Sequence, residues 1–148
     1  MFTHVGPAKP LSELESRTLP YGRFYKIDDG WLPSVTTVVS HNTKAGILAW
    51  ERVRRAASWR GTKYHGIVED YLNNELEKVE ESEGLPAYLF RSARETLNRI
   101  SNIHALEAPL YSAKLGIAGR VDCIAEFDNS LAIIDFKTTT RLKTDALL

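Results

Sequence analysis

The feature that most constrains the fold is a change of hydrophobic period in the last third of the chain. Residues 108–113, 117–127 and 131–138 alternate or run apolar as strands do, whereas the preceding segments show apolar residues at helical spacing. The pair Asp128-Asn129 separates the last two of these segments and is a strong signal for a tight β-hairpin turn. Helices followed by an antiparallel meander predict an α+β, or mixed α/β, domain.

The N-terminal part of the chain is expected to contain little regular structure. Residues 1–20 hold three of the six prolines and are expected to form an irregular arm. Residues 21–28 alternate well enough for a short strand, which a turn at Asp28-Asp29-Gly30 closes. Ser34 is a suitable cap for a helix that begins at Val35.

Further helices are expected between this cap and the meander. They cover residues 43–55, 56–77 (with a break at Gly61) and 87–101. A polar hinge at 80–86 precedes the last of them. A helical region at 33–101 and a sheet region at 105–140 are therefore expected within one domain, since 148 residues are enough for one core.

Composition excludes several classes of protein. Hydrophobic residues make up 43% and charged residues 26%, which is typical of globular domains. No apolar run reaches the length of about 18 residues that predicts a membrane helix. Glu13 and Glu15 interrupt any targeting pattern, so a cytoplasmic location is expected and a mitochondrial one is less favoured. Cys123 is the only cysteine, which excludes an internal disulfide and a cysteine-ligated iron–sulfur cluster.

The net charge of zero arises from two opposed segments. Residues 44–63 contain six basic side chains and one acid, whereas residues 69–83 contain seven acids and one lysine. Such segments form either solvated helix faces or, for the basic one, a surface that attracts an anionic polymer. Composition leaves both alternatives open.

Three side chains near the hairpin carry the strongest chemical signal. Asp122 lies in one predicted strand, and Asp135 and Lys137 lie two residues apart in its partner, so these two share a face. Because the surrounding strands are apolar, carboxylates there are costly without a compensating charge. Mg²⁺ or Mn²⁺ takes carboxylate oxygens, and the carbonyl of Phe136 could add another ligand. The alternative is an Asp–Lys ion pair that only fixes the hairpin.

The sequence around these residues resembles the PD-(D/E)XK nuclease superfamily, and in particular its RecB-like branch, which includes phage exonucleases. The resemblance rests on Gly119-Arg120-Val121-Asp122 followed by Ile133-Ile134-Asp135-Phe136-Lys137-Thr138. Three upstream segments extend it in the same order: P-S-V-T at 33–36, R-G-T-x-x-H with E-x-Y-L at 60–72, and E-x-P-L at 107–110.

The resemblance implies a restriction-endonuclease-like core and a metal-dependent DNA exonuclease that acts on single strands or ends. It implies that His65, Asp122, Asp135 and the Phe136 carbonyl bind Mg²⁺ or Mn²⁺, and that Lys137 assists the attacking water. A satisfied core histidine is the alternative for His65. Glu69 and Glu107 are expected to support the site, although an exposed helical glutamate is an equally good interpretation of Glu69.

Contacts to DNA are expected from the basic stretch and from the residues that follow the lysine. The candidates are Arg52, Arg55, Arg60, Lys63, Tyr64, Thr138, Thr139 and Arg141. Trp50, Trp59 and Tyr64 lie among the cations, where exposed rings would stack on unpaired bases. Core packing is the alternative for these rings, and for Trp50 it is the favoured one.

The sequence departs from the family at its C-terminus. The family has a further helix with a Q-x-x-x-Y pattern and another strand after the D-x-K segment, and residues 138–148 contain neither. The domain is therefore expected to be incomplete, through truncation, completion by a second polypeptide, or self-association. Weak activity or aggregation of this chain alone is expected, and a nucleic-acid-binding or assembly subunit is the alternative to an enzyme.

Overall fold

The computed structural model describes residues 1–9, 11–41 and 50–139. The described residues divide into two compact units. Residues 2–41 and 99–135 form the sheet unit, and residues 50–98 and 136–139 form the helical unit. Helices together with two three-stranded antiparallel sheets place the protein in the α+β class, as the sequence predicts.

The sheet unit contains two antiparallel meanders and a short helix. The first sheet has the order β1 (Ser16–Leu19), β2 (Gly22–Ile27), β3 (Gly30–Pro33), and helix α1 (Val35–His41) follows it. The second sheet has the order β4 (Ile100–Ser112), β5 (Ile117–Phe127), β6 (Ser130–Ile134). The predicted meander of three strands is confirmed, but its last strand ends at Ile134 rather than at 138. Asp135 and Lys137 therefore lie beyond the end of β6, and the prediction that both lie within this strand is wrong.

The hairpin between β5 and β6 has the predicted two-residue turn. Phe127 pairs with Ser130, so that only Asp128 and Asn129 lie between the strands. Both have a positive φ, 49° and 64° respectively, as a type I′ turn requires. Asp and Asn tolerate this conformation better than other side chains with a Cβ, and the turn therefore fixes the register of the pair.

Strand β4 begins well before the predicted strand at 108–113. It starts at Ile100, in a region that the sequence assigned in part to a helix ending at 101. The pairing with β5 is irregular between Ser101 and Ala105, and Asn102 has φ 43°. This irregularity interrupts the alternation of side chains, which is the reason that the periodicity missed the first half of the strand.

The prediction of an irregular N-terminal arm is wrong for residues 16–19, which form β1. Its side chains are mostly exposed, so no apolar alternation marks the strand. Backbone pairing with β2 orders it as an edge strand. The predicted strand at 21–28 and its turn are confirmed as β2 and the connection to β3, a strand that the prediction omitted.

A network of short hydrogen bonds ties the start of α1 to β2. The Thr37 amide donates to Ser34 Oγ (3.0 Å), which is the predicted cap, and the two hydroxyl oxygens lie 2.8 Å apart. Thr37 Oγ1 also accepts from the Arg23 amide (2.9 Å). The P-S-V-T segment thus contributes structure through Ser34, and Thr37, which directly follows the segment, is held against β2.

The helical unit is formed by α2 (Trp50–Leu72), α3 (Leu76–Glu80) and α4 (Gly84–Leu97). The predicted break at Gly61 is wrong, because α2 runs through it; the cost of one glycine in a helix, about 1 kcal/mol, is small against the packing of a long apolar face. The helix ends at Leu72 and not near 77 as predicted. Two residues after this end, Asn74 takes a left-handed backbone conformation (φ 64°). The last predicted helix, 87–101, corresponds to α4, which begins at Gly84 within the predicted hinge at 80–86 and ends at Leu97.

The core of the helical unit lies along one face of α2. Tyr64, Val68 and Leu72 are buried there, and Tyr71 packs edge-on against Phe90 of α4 with ring centroids 5.0 Å apart. Burial of each large side chain contributes about 1.5–3 kcal/mol. Because this face of α2 packs into the core, it determines which polar residues of the helix lie outside the core.

Several predictions fall where the structure makes no statement. Residues 43–49 of the predicted second helix and the whole of 140–148, including Arg141, lie outside the described residues. Among the described residues, no helix is both long and apolar enough to cross a bilayer.

Candidate functional site

Three carboxylates lie near one another on the second sheet and at the end of its last strand. The register of β4 with β5 places Glu107 opposite Asp122. Asp135 directly follows β6, whose last residue Ile134 pairs with Cys123, and Asp122 and Asp135 line the same cavity. Directly opposed residues of antiparallel strands project from the same face. Glu107, Asp122 and Asp135 are therefore called the acid row.

The spacing between Glu107 and Asp122 suits a divalent cation. Glu107 and Asp122 each offer a carboxylate oxygen, and these two oxygens lie within 4.8 Å of each other. Both side chains are half-buried, whereas Asp135 is exposed. Carboxylates this close repel one another when ionised, and hard cations with oxygen ligands relieve that repulsion. The donor set fits Mg²⁺ or Mn²⁺.

The acid row is not buried in an apolar interior, contrary to the expectation from the sequence. Asp135 is exposed, and Asp122 is only half-buried because the face of the sheet that carries it remains open, with Ile133 72% exposed. Desolvation is therefore a smaller contribution than the sequence implied. The mutual repulsion of adjacent carboxylates is instead the physical reason to expect a cation here.

Glu107 is held in place through its backbone. It has a left-handed conformation (φ 45°), which costs about 1–3 kcal/mol for a residue with a side chain. The Arg120 guanidinium donates to the Glu107 carbonyl oxygen and also to the Glu13 carboxylate, 2.8 Å away. Arg120 therefore positions the residue that the sequence predicted only as a supporting group.

Two members of the acid row also line a cavity of about 620 Å³ in the sheet unit. Asp122, Asp135 and Arg120 line this cavity. Its other lining residues include residues of β1, β2 and α1. We refer to it as the sheet cavity. Arg23 is among its lining residues and was missed in the sequence, where its only signal was a place in the alternating segment 21–28.

Two other predicted ligands lie together in the helical unit. His65 Nε2 is 2.6 Å from the Phe136 carbonyl oxygen, and the two rings pack edge-to-face with centroids 6.2 Å apart. Phe136 is buried and directly follows Asp135 in the chain. An imidazole nitrogen and a carbonyl oxygen are both ligands that Mn²⁺ accepts, and the same contact fits an Nε2–H···O hydrogen bond, so the ligand role and the satisfied histidine both stay open.

The segment after Phe136 lies close to the side of α2 that carries Gly61. A Cβ built on Gly61 would come 3.8 Å from Thr138 Oγ1, an ordinary van der Waals distance. Gly61, His65 and Glu69 follow one another at intervals of four and so share one side of the helix. Glu69 is half-buried on this side, one turn after His65, and its supporting role stays a prediction.

Burial contradicts one of the predicted DNA contacts. Tyr64 is only 7% exposed within the core of the helical unit, and this burial raises the pKa of its phenol. A ring that is buried in this way cannot stack on a base. Trp59 is 59% exposed and keeps that possibility.

Of the basic stretch at 44–63, the structure describes the side chains of Arg60 and Lys63. Lys63 is exposed, but two residues on a helix are about 200° apart around the axis, so Lys63 and His65 project from nearly opposite sides. Arg60 is half-buried, as is Thr138, while Lys137 and Thr139 are exposed. The side chains of Trp50, Arg52 and Arg55, like Arg141, lie outside the described residues.

The fold and the acid row define an α+β protein with a candidate divalent-metal centre on an open sheet face. Comparison with curated proteins shows a relationship to exonucleases. A stretch of 85 residues, 57% of the chain, is 35% identical to Mitochondrial genome maintenance exonuclease 1 of Xenopus tropicalis and 29% identical to that of Homo sapiens. The Mus musculus protein is 29% identical over 84 residues. The chain spans about a quarter of the length of these relatives (24–25%). No protein-family profile matches the chain.

Proposed function

We propose that the protein is a divalent-metal-dependent nuclease that hydrolyses phosphodiester bonds of DNA. The observation that carries this proposal is the acid row, in which Glu107 and Asp122 bring carboxylate oxygens within 4.8 Å of each other. Two of its members also face the sheet cavity. Sequence similarity to proteins named exonucleases supports the same chemistry and favours action at free ends.

The acid row would hold Mg²⁺ or Mn²⁺ through carboxylate oxygens. When bound, such a cation lowers the pKa of water and offsets negative charge on the phosphate. The resemblance adds His65 and the Phe136 carbonyl to the expected ligands. Their mutual distance of 2.6 Å keeps both donor atoms together in the helical unit.

Lys137 is proposed to act on the reacting groups rather than on the cation. Its ammonium is a triple donor without an acceptor, so it can orient an attacking water or donate to a phosphate oxygen. Its side chain is exposed and therefore accessible to substrate. No covalent intermediate is needed, because water attacks phosphorus directly and the departing oxygen leaves with the 3′- or 5′-terminal fragment.

Cleavage of end-labelled single-stranded and duplex DNA, with Mg²⁺, with Mn²⁺ and without metal, tests the proposal. Asp122→Asn and Lys137→Ala are each expected to lower the rate by about 10²-fold or more, the loss typical of a single group that stabilises the transition state. Matched controls are Asp29→Asn in the β2–β3 turn and Lys114→Ala in the β4–β5 turn, both exposed. These are expected to cleave like the wild type.

Two results would contradict the proposal. One is an absence of metal-dependent cleavage by the wild-type protein on every substrate. The other is cleavage that survives unchanged in both Asp122→Asn and Lys137→Ala. DNA binding without cleavage would support the alternative, a nucleic-acid-binding or assembly subunit. The predicted cytoplasmic location stays a prediction, as the relatives are named for mitochondria.

A further inference from the structure

The first sheet presents a polar face to the sheet cavity. Thr18 and Arg23 are directly opposed in the β1–β2 pair, and Tyr25 follows Arg23 by two residues, so all three project from one face. All three line the cavity. Arg17 and Lys26 lie on the other face of the same two strands, by the same alternation.

The sheet cavity therefore has walls of different character. Asp122 and Asp135 lie on the side formed by β5 and β6, whereas Arg23 and Thr18 come from the first sheet. Arg23 has an exposed side chain with a permanent positive charge. A guanidinium and a hydroxyl are donors that suit phosphate oxygens.

Apolar side chains complete the cavity between these polar groups. Ile133 is 72% exposed and Val35 is 47% exposed, and both line it. Exposed aliphatic groups offer a surface for the faces of bases, while the polar groups suit the backbone. The volume of about 620 Å³ lies in the range of small-molecule sites, about 300–1,000 Å³, which admits a nucleotide or two but no duplex.

We infer that Arg23, with Thr18 beside it, binds a backbone phosphate of a single DNA strand that lies in the sheet cavity with its scissile bond toward the acid row. The inference rests on the proposed function and adds the path of the strand and a residue that holds it. Arg120 lines the same cavity, but Glu13 and the Glu107 carbonyl already engage its guanidinium. Arg23 is therefore the better donor to a phosphate.

Fluorescence anisotropy with a labelled short thymidine oligonucleotide, in EDTA so that no cleavage occurs, measures this contact. Arg23→Gln is expected to raise Kd about tenfold at moderate salt and to reduce the slope of log Kd against log salt by about 0.7, the value for one phosphate on a single strand. Arg23→Lys should retain most of the slope. Lys26→Gln, on the same strand but the opposite face, should bind as the wild type does.

The outcomes separate this inference from the proposed function. Equal affinity and equal salt slope for Arg23→Gln and Lys26→Gln, with unchanged thermal stability, overturns it, as does tighter binding of duplex than of single strand. A wild-type protein that binds the oligonucleotide with the expected Arg23 dependence but cleaves nothing in Mg²⁺ or Mn²⁺ supports the strand path and refutes only the nuclease.

Discussion

Replacement of Gly22 by alanine is expected to destabilise the sheet unit through a single close contact. Gly22 has φ 147°, a conformation that residues with a side chain rarely adopt. An added Cβ would lie 2.3 Å from Thr37 Cγ2 and 2.5 Å from Thr37 Oγ1. Both distances are far below van der Waals contact, and Thr37 cannot withdraw without losing its hydrogen bonds to Ser34 and to the Arg23 backbone.

The magnitude follows from two separable costs. Backbone strain at a positive φ contributes about 1–3 kcal/mol, and the forced displacement of a packed side chain contributes about 1–3 kcal/mol more. Gly22→Ala should therefore lower the free energy of unfolding by about 2–5 kcal/mol. Thr37→Ala alone should cost about 1–2 kcal/mol through lost hydrogen bonds. The double variant should be less unstable than the sum, because Thr37→Ala removes the two closest atoms.

Urea unfolding of the wild type, both single variants and the double variant gives the coupling energy directly. Gly30→Ala is the matched control, since its added Cβ would meet only the Ile27 carbonyl oxygen at 3.8 Å. That control should cost less than about 1 kcal/mol. Strict additivity of Gly22→Ala and Thr37→Ala, or a Gly22→Ala variant as stable as Gly30→Ala, would show that the contact with Thr37 does not destabilise the variant.

Two further predictions concern the second sheet. Burial and the neighbouring Asp122 charge raise the pKa of Cys123 from 9.0 to about 11, so the folded state retains a proton that the unfolded state has lost between these values. The free energy of unfolding should therefore fall by up to roughly 2–3 kcal/mol as pH rises from about 9 to about 11. Urea titrations of Cys123→Ala should lack this part of the pH dependence. The same slope of unfolding free energy against pH in both proteins would contradict the prediction. Arg120→Gln should weaken Mn²⁺ binding about 10- to 100-fold by releasing the Glu107 backbone, which lowers the stabilisation at saturating metal by about 1.4–2.7 kcal/mol in a thermal-shift titration. An unchanged Mn²⁺ response would show that Arg120 does not position Glu107.

Local signals explain which parts of the fold were predictable. The β5–β6 hairpin was predicted because Asp128-Asn129 and the apolar strands on both sides fall within a short stretch of sequence. The Ser34 cap is equally local. Strand β1 was not predictable, because pairing with β2 orders it while its side chains stay exposed. Helix α2 continues through Gly61, because the packing of the helix outweighs the weak helix-breaking tendency of a single glycine.

The candidate site divides in the same way. Alternation along one hairpin was enough to predict that Asp122 and Asp135 lie together, and both line the sheet cavity although Asp135 lies beyond the end of β6. The place of Glu107 beside Asp122 depends on the β4–β5 register, which the sequence could not give because β4 begins at Ile100 and contains an irregularity. The place of Arg23 depends on how two separate sheets pack, which no local pattern encodes.

The two-residue turn between β5 and β6 has a consequence for the insertions and deletions that this chain can tolerate. Side chains alternate along a strand, so a change in turn length that slips the register by one residue would carry Asp135 to the opposite face, away from Asp122. A slip by two residues would restore the face, although at a different level of the sheet. Genes related to this one are therefore expected to conserve the length of this turn, and a variant with a single-residue insertion there should keep both strands yet lose the Mn²⁺ binding proposed for the acid row.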